Sequence, residues 1–281
     1  LWIFLALLLG TKQQLNLNKV IMNKVKTKTN GVDLAVIAQD AKSLSGFGEL
    51  NIARDTAIPY ISILQTSSPQ LNPSKAEYIE TAKAGQLYNT VTQDTFDNIK
   101  VIPVFYHLKY VEWKPREQGG GFIASHDADS GIIGQTKRDP MTNKMVLPSG
   151  NHIVQTAYHY VIILSDSGYQ NAVISMASSQ LKKSRRWNSL MLSQKIKGPS
   201  GMFTPPTYAF TYVLSTVSES NDRGSWFGFQ VERGDQVSDA AIYGESKAFA
   251  QSASSGAVEA KPETPKLIQK DKPETDEDIP F

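Results

Sequence analysis

The chain has 281 residues, 40% of them hydrophobic, and a net charge of only +2. That is enough apolar material for a folded core, and the near-balance of charge names no partner by itself. Cysteine is absent, which excludes disulfides, thiolate metal sites and a cysteine nucleophile and fits a reducing compartment.

The opening run Leu1-Trp-Ile-Phe-Leu-Ala-Leu-Leu-Leu9 is too short to span a bilayer as a helix. No basic segment precedes it and no small-x-small cleavage site follows it. Met22-Asn-Lys-Val-Lys-Thr-Lys starts like an ordinary cytosolic protein. Residues 1–21 are therefore expected to be an upstream extension or a signal-like segment outside the fold. Residues 22–56 read as an N-terminal helix and linker. Over 32–44, Leu34, Ile37, Ala38, Ala41 and Leu44 share one helical face, with Asp33 placed to cap it.

The body is expected over 57–251. Strands are expected at Ile58–Leu64, Leu87–Thr92, Ile99–Lys114, Val154–Leu164, Ala172–Met176, Tyr208–Val217 and Ser225–Val231. Pro103 places an edge or a bulge in the third of these. Residues 126–150 are polar and read as a long exposed loop or ragged hairpin. A basic helix is expected from Ser178 to Lys197, stopped by Gly198-Pro199. A final helix runs from a cap at Asp235 to about Ala250. From Ser252 the composition turns to Ser, Ala, Lys, Glu and Pro, as in a disordered linker. Many short strands with one inserted helix favour an enlarged OB-like Greek-key barrel.

Two surfaces carry candidate chemistry. On the basic helix, Lys182, Lys183, Arg185 and Arg186 offer cations to phosphates, an attraction that salt weakens. Trp187 is read as a packing residue. On the long strand, alternation puts Ile102, Val104, Tyr106, Leu108 and Tyr110 on one face, read as core. His107, Lys109, Val111 and Trp113 fall on the other. That second face leads into Lys114, Arg116, Gly119-Gly-Gly121 and Phe122. Aromatics beside a cationic track are how single strands are held without sequence preference. A slip at Pro103 would invert the two faces.

Enzyme signatures are missing. There is no phosphate-binding Gly-x-x-x-x-Gly-Lys loop, no dinucleotide fingerprint and no nucleophile elbow. The four histidines have no metal-ligand spacing, so neither metal nor cofactor is expected. No membrane partner is expected, and a homo-oligomer is compatible with the composition.

The chain ends Lys272-Pro-Glu-Thr-Asp-Glu-Asp-Ile-Pro-Phe281. A like-charge block stays solvated, and an apolar terminus behind it suits a basic-rimmed pocket on another protein. Asp276, Glu277 and Asp278 followed by Ile279, Pro280 and Phe281 resemble the C-terminal tip of bacterial and phage single-stranded DNA-binding proteins. Only this tip carries the resemblance by residue; the rest resembles the phage replication type in plan. It implies a cytoplasmic protein that coats single-stranded DNA and recruits polymerase, helicase or primase through residues 276–281 of a tail covering 252–281. A β-rich virion or assembly protein with an acidic tail, or a recombination annealing protein, are the alternatives.

Overall fold

The computed structural model describes residues 36–37, 39–40, 57–166, 168–222 and 224–260. The chain divides into two units, residues 1–51 and 52–281. In the first, Val36, Ile37, Gln39 and Asp40 are helical, within the helix expected over 32–44. The cap Asp33, the opening run 1–21 and the tip 276–281 lie outside the described residues.

The second unit is mainly β. Its strands are β1 (Ile61–Ile63), β2 (Leu87–Asn89), β3 (Thr95–Phe96), β4 (Ile99–Trp113), β5 (Phe122–Asp127), β6 (Lys137–Arg138), β7 (Met145–Val146), β8 (His152–Ser165) and β9 (Gly168–Ala177). Helix α1 (Leu181–Leu192) follows, then β10 (Ile196–Gly198), β11 (Gly201–Phe203), β12 (Phe210–Asn221), β13 (Gly224–Gln236) and α2 (Ala240–Ser254). One curled sheet runs β13-β12-β4-β8-β7-β6, with β5 on β4 and β9 on β8. β1, β2 and β3 form a small sheet, and β10 pairs only with β11.

β4 is interior and packs on a core at each face, which is why it reads as a nearly continuous apolar run. Its register against β8 slips between Pro103 and Phe105. Before the slip, Ile99 and Val101 face the inner core, and Ile102 and Val104 the outer one. After it, Tyr106 and Leu108 pack on the inner core, and Phe105, Val111 and Trp113 on the outer one. One extra residue reverses the phase of a period-two pattern. The single core face expected from Ile102 to Tyr110 is therefore split. Pro103, which has no N–H for a ladder, sits at a bulge rather than on an edge strand.

The inner core takes side chains from all five long strands and is plugged by Trp187 and Met191 of α1. The outer core lies under α2, through Phe249 and Ala253. β9 and β13 do not pair with each other, and the segment 59–65 lies along both. Tyr60 bridges Val173 in parallel, and the Val173 N–H donates to Pro59 O at 2.8 Å. Gln65 Nε2 donates to Phe227 O at 2.9 Å, and its Oε1 accepts from the Phe227 N–H at 2.8 Å. Gln180 Oε1 accepts from the Phe229 N–H at 2.9 Å. These amides occupy ladder groups that an open edge would expose.

Three boundaries differ from expectation. α1 stops at Leu192, so Ile196 and Lys197 belong to β10. α2 is capped by Asp239, whose carboxylate accepts from the N–H groups of Ala241 and Ile242 at 2.7 and 3.1 Å, whereas Asp235 lies within β13. The segment expected to be linker from 252 is ordered to its last described residue: the buried Ala260 donates its N–H to Tyr160 Oη at 2.8 Å.

Trp187 is fully buried, as read from the sequence. It stacks on the His159 ring at 4.4 Å between centroids and meets Tyr212 edge-on at 6.0 Å. His159 Nε2 shares a hydrogen bond of 2.8 Å with Ser184 Oγ. Burial pushes the His159 pKa from 6.5 down to about 3, so the imidazole is neutral in the fold. Between those two values the unfolded chain binds the extra proton. Stability from this group is thus complete above the unfolded pKa and is lost as pH falls through the window. In urea denaturation, His159→Gln is expected to flatten the acid limb by up to about 1.4 kcal/mol per pH unit. An unchanged limb would mean that another group titrates.

Candidate nucleic-acid interface

The β4–β8 ladder ends where Trp113 faces His152. Between these two residues the chain makes two excursions. The first arm runs through Lys114 to Gly121 and returns as β5; the second is the region 132–146 with the β6–β7 hairpin. Both arms line a cleft of about 1130 Å³. Tyr110, Ile153 and Gln155 line its sheet side, and Leu181, the first residue of α1, lines it from the helix. The first arm contributes Lys114 and Arg116, and the second contributes Arg138 and Lys144. Glu117 is the acid among the lining residues.

Local sequence explains both arms. In the first, the Lys114 N–H donates to Gly121 O and the Gly120 N–H to Pro115 O, both at 2.9 Å. That tight return needs φ of 99°, 63° and 115° at Gly119, Gly120 and Gly121, where side chains are strained. In the second, Asp139 Oδ1 accepts from the N–H groups of Met141 and Thr142, each at 2.8 Å. These two backbone donors, Thr142 first, hold the Asp139 carboxyl below its usual range. Arg138 Nη1 donates to Asn143 Oδ1 at 2.7 Å, which fixes the guanidinium across the turn.

A polar cluster around the buried Glu112 sits at the root of the arms. Glu112 on β4 accepts from Asn151 Nδ2 and shares a 2.8 Å contact with His126 Nε2 on β5. Burial opposes its charge, but the hydrogen bonds from Asn151 and His126 outweigh burial and hold its carboxyl below the usual range. The cluster ties β4, β5 and the turn before β8 together.

The structure brings Trp113, Lys114 and Arg116 to one cleft. Phe122 is exposed and meets Trp113 edge-on at 6.1 Å. Lys109 is elsewhere engaged: its Nζ lies 2.6 Å from Asp127 and 3.7 Å from Glu259, with 13% of the side chain exposed. Lys109 in turn holds the Asp127 carboxyl below its usual range. On α1, Lys182, Arg185 and Arg186 are exposed but do not line the cleft. Lys183 pairs with Glu219 at 2.8 Å. The tip residues Asp276, Glu277, Asp278, Ile279, Pro280 and Phe281 lie outside the described residues.

Sequence reading missed Tyr110, Arg138, Lys144 and His152 as cleft residues. Arg138 and Lys144 flank Asp139-Pro-Met-Thr-Asn143, a turn with a cation on each side, and that spacing was the available signal. Among the described residues, no group of His, Asp or Glu is arranged to hold a metal ion. None of the described helices is long and apolar enough to cross a membrane.

Removing the Glu112 carboxylate leaves the half-buried donors of Asn151 and His126 without their acceptor. Glu112→Ala is expected to cost about 2 kcal/mol of stability in urea denaturation at neutral pH. A change below about 0.5 kcal/mol, the size typical of neutral surface substitutions, would show that the cluster carries little weight.

Searches of curated proteins and of solved structures found no match. A family model described as Pam3 phage gp34-like protein matches residues 27–259. That match takes in both arms of the cleft and nearly all of the described body, and the chain belongs to the Pam3 phage gp34-like protein family.

Proposed function

We propose that the protein is a single-stranded DNA-binding protein of the phage replication type, acting in the host cytoplasm. The observation that carries this reading is the cleft. An aromatic and apolar lining suits unstacked bases, and cations on two arms suit the phosphates on either side. The reading involves no chemical step. Lys114, Arg116, Arg138 and Lys144 attract the backbone, and Tyr110 and Trp113 offer ring surface. The exposed cations Lys182, Arg185 and Arg186 extend the path along α1.

The strand pairing supports an enlarged OB-like barrel. Counted in order, β4, β8, β9, β12 and β13 pair first with second, second with third, first with fourth, and fourth with fifth. α1 falls between third and fourth. OB barrels bind oligonucleotides with the second and third strands and the loops joining first to second and fourth to fifth. Both arms of the cleft belong to the first-to-second connection. A family named for a phage protein agrees with this reading, as does the acidic tip's resemblance to single-stranded DNA-binding proteins.

Titration with oligo-dT at low and high salt tests it. Among the described tryptophans, binding is expected to quench fluorescence through Trp113, because Trp187 is buried and Trp226 is hydrogen-bonded to Glu219. Trp113→Phe should therefore bind with most of the quench gone. Each of Lys114→Ala, Arg116→Ala, Arg138→Ala and Lys144→Ala should lower the slope of log affinity against log salt by about 0.7. A virion or assembly protein would show neither quench nor slope.

The tail is read as a recruitment device, with Ile279, Pro280 and Phe281 filling a pocket on a polymerase, helicase or primase. A chain lacking residues 274–281 should keep its affinity for oligo-dT and lose capture of the replication partner. Retained capture would remove the tip from the mechanism.

A further inference from the structure

We propose that His152 is a phosphate contact of the cleft, and that a seated strand draws a proton onto its imidazole. This deepens the single-strand reading above and rests on it. The support begins with position. His152 is the first residue of β8 and pairs with Trp113 on one side and Val146 on the other. It is therefore where the second arm rejoins the sheet, opposite the Trp113 from which the first arm leaves, and it lines the cleft. It is half-buried, and among the described residues no side chain hydrogen-bonds its ring.

Charges approach it from both arms. On the first, Lys114 and Arg116 follow Trp113 directly, with Glu117 beyond. On the second, Lys144 and Asp139 act on its ring, and Arg138 precedes Asp139. Ser178 and Leu181, which close the cleft from the α1 side, are uncharged. Glu112 is not among the charges that act on the ring. Its carboxylate is already held by His126 and Asn151.

Burial and then the neighbouring Lys144 disfavour a charged ring, against weaker pulls from Glu117 and Asp139. The imidazole is thus neutral at neutral pH. A phosphodiester reverses the balance. It neutralises the neighbouring cations and offers an acceptor to a ring N–H. The charged form then binds more tightly than the neutral one, and proton uptake accompanies binding. Affinity must consequently rise as pH falls through the range in which the free ring is still neutral.

The full chain tests this with calorimetric titration of oligo-dT near pH 6.5, in two buffers of different ionisation enthalpy, and with affinities at about pH 6, 7.5 and 8. Wild type is expected to take up between about half a proton and one proton and to bind about fivefold more tightly at pH 6 than at 7.5, within the tenfold per pH unit that one linked proton allows. His152→Gln should lose both the uptake and the gain in affinity between pH 7.5 and pH 6. His152→Lys, with its permanent charge, should bind at pH 7.5 about as wild type does at pH 6. Wild-type uptake below about 0.2 proton, or full uptake by His152→Gln, overturns the assignment. Absence of oligo-dT binding at every pH in low salt overturns the single-strand reading itself. Binding at pH 8 without His152-linked uptake overturns only this inference.

Discussion

The bulge in β4 is the constraint on which the rest of the fold depends. A strand buried on both faces has to satisfy two cores at once. Without a change of phase, its large side chains would all favour one of them. The extra residue between Pro103 and Phe105 lets Ile99 and Val101 serve the inner core at one end while Tyr106 and Leu108 serve it at the other. The same edge of β4 then pairs with β12 near Ile99 and with β5 beyond Lys109. Between these partners, Thr207 Oγ1 donates to Val104 O, so the interrupted edge still finds a donor. Bulges increase local bending, which suits a curled sheet that carries its first-to-second connection away from the core.

Charge in this protein is sorted by whether it has a partner. Lys109 and Lys183 look in sequence like members of basic stripes, but each is held by carboxylates from another element, Asp127 and Glu259 for one and Glu219 for the other. These pairs fix β4 against β5 and α1 against β12. Both lysines are thereby removed from the pool of cations open to a polyanion. The cations that line the cleft are different. Arg138 is oriented by an uncharged oxygen of Asn143, which aims its guanidinium without neutralising it.

The chain order of long strands and the inserted helix was legible because apolar β-branched runs and a helical apolar face leave strong patterns. Trp187 was legible as core for the same reason. The faces of β4 were not, because alternation cannot be carried through a bulge. Asp235 looked like a cap because capping residues are short and polar, and Asp239 satisfies the same rule. Only backbone geometry separates them. Ala260 looked like linker because its composition is bland, and its order comes from one hydrogen bond to Tyr160 and contact with the outer core. Half of the cleft was legible as a cationic aromatic track. Arg138 and Lys144 were not, since their place opposite Lys114 depends on two excursions returning to the same end of one ladder.

That arrangement separates what must be rigid from what can vary. The β4–β8 ladder, packed on a core at each face, supplies a fixed end at Trp113 and His152. The arms need only short local devices to hold shape: glycines at positive φ in one, an aspartate turn in the other. A loop positioned by a rigid scaffold tolerates change in its own sequence far better than a core strand does. Glu112 is the exception, a charge kept inside the scaffold. Placed at the root, it spends its hydrogen bonds on His126 and Asn151, one on the first arm's returning strand and the other on the turn that leads the second arm back into β8. A buried carboxylate costs desolvation, so an apolar residue would be the simpler choice if packing were all that this position required. Its placement is explained by direction: hydrogen bonds fix the angles at which two arms return to the sheet, which apolar contact does not. The roots of both arms are therefore tied to β4 at Glu112, through residues that do not line the cleft.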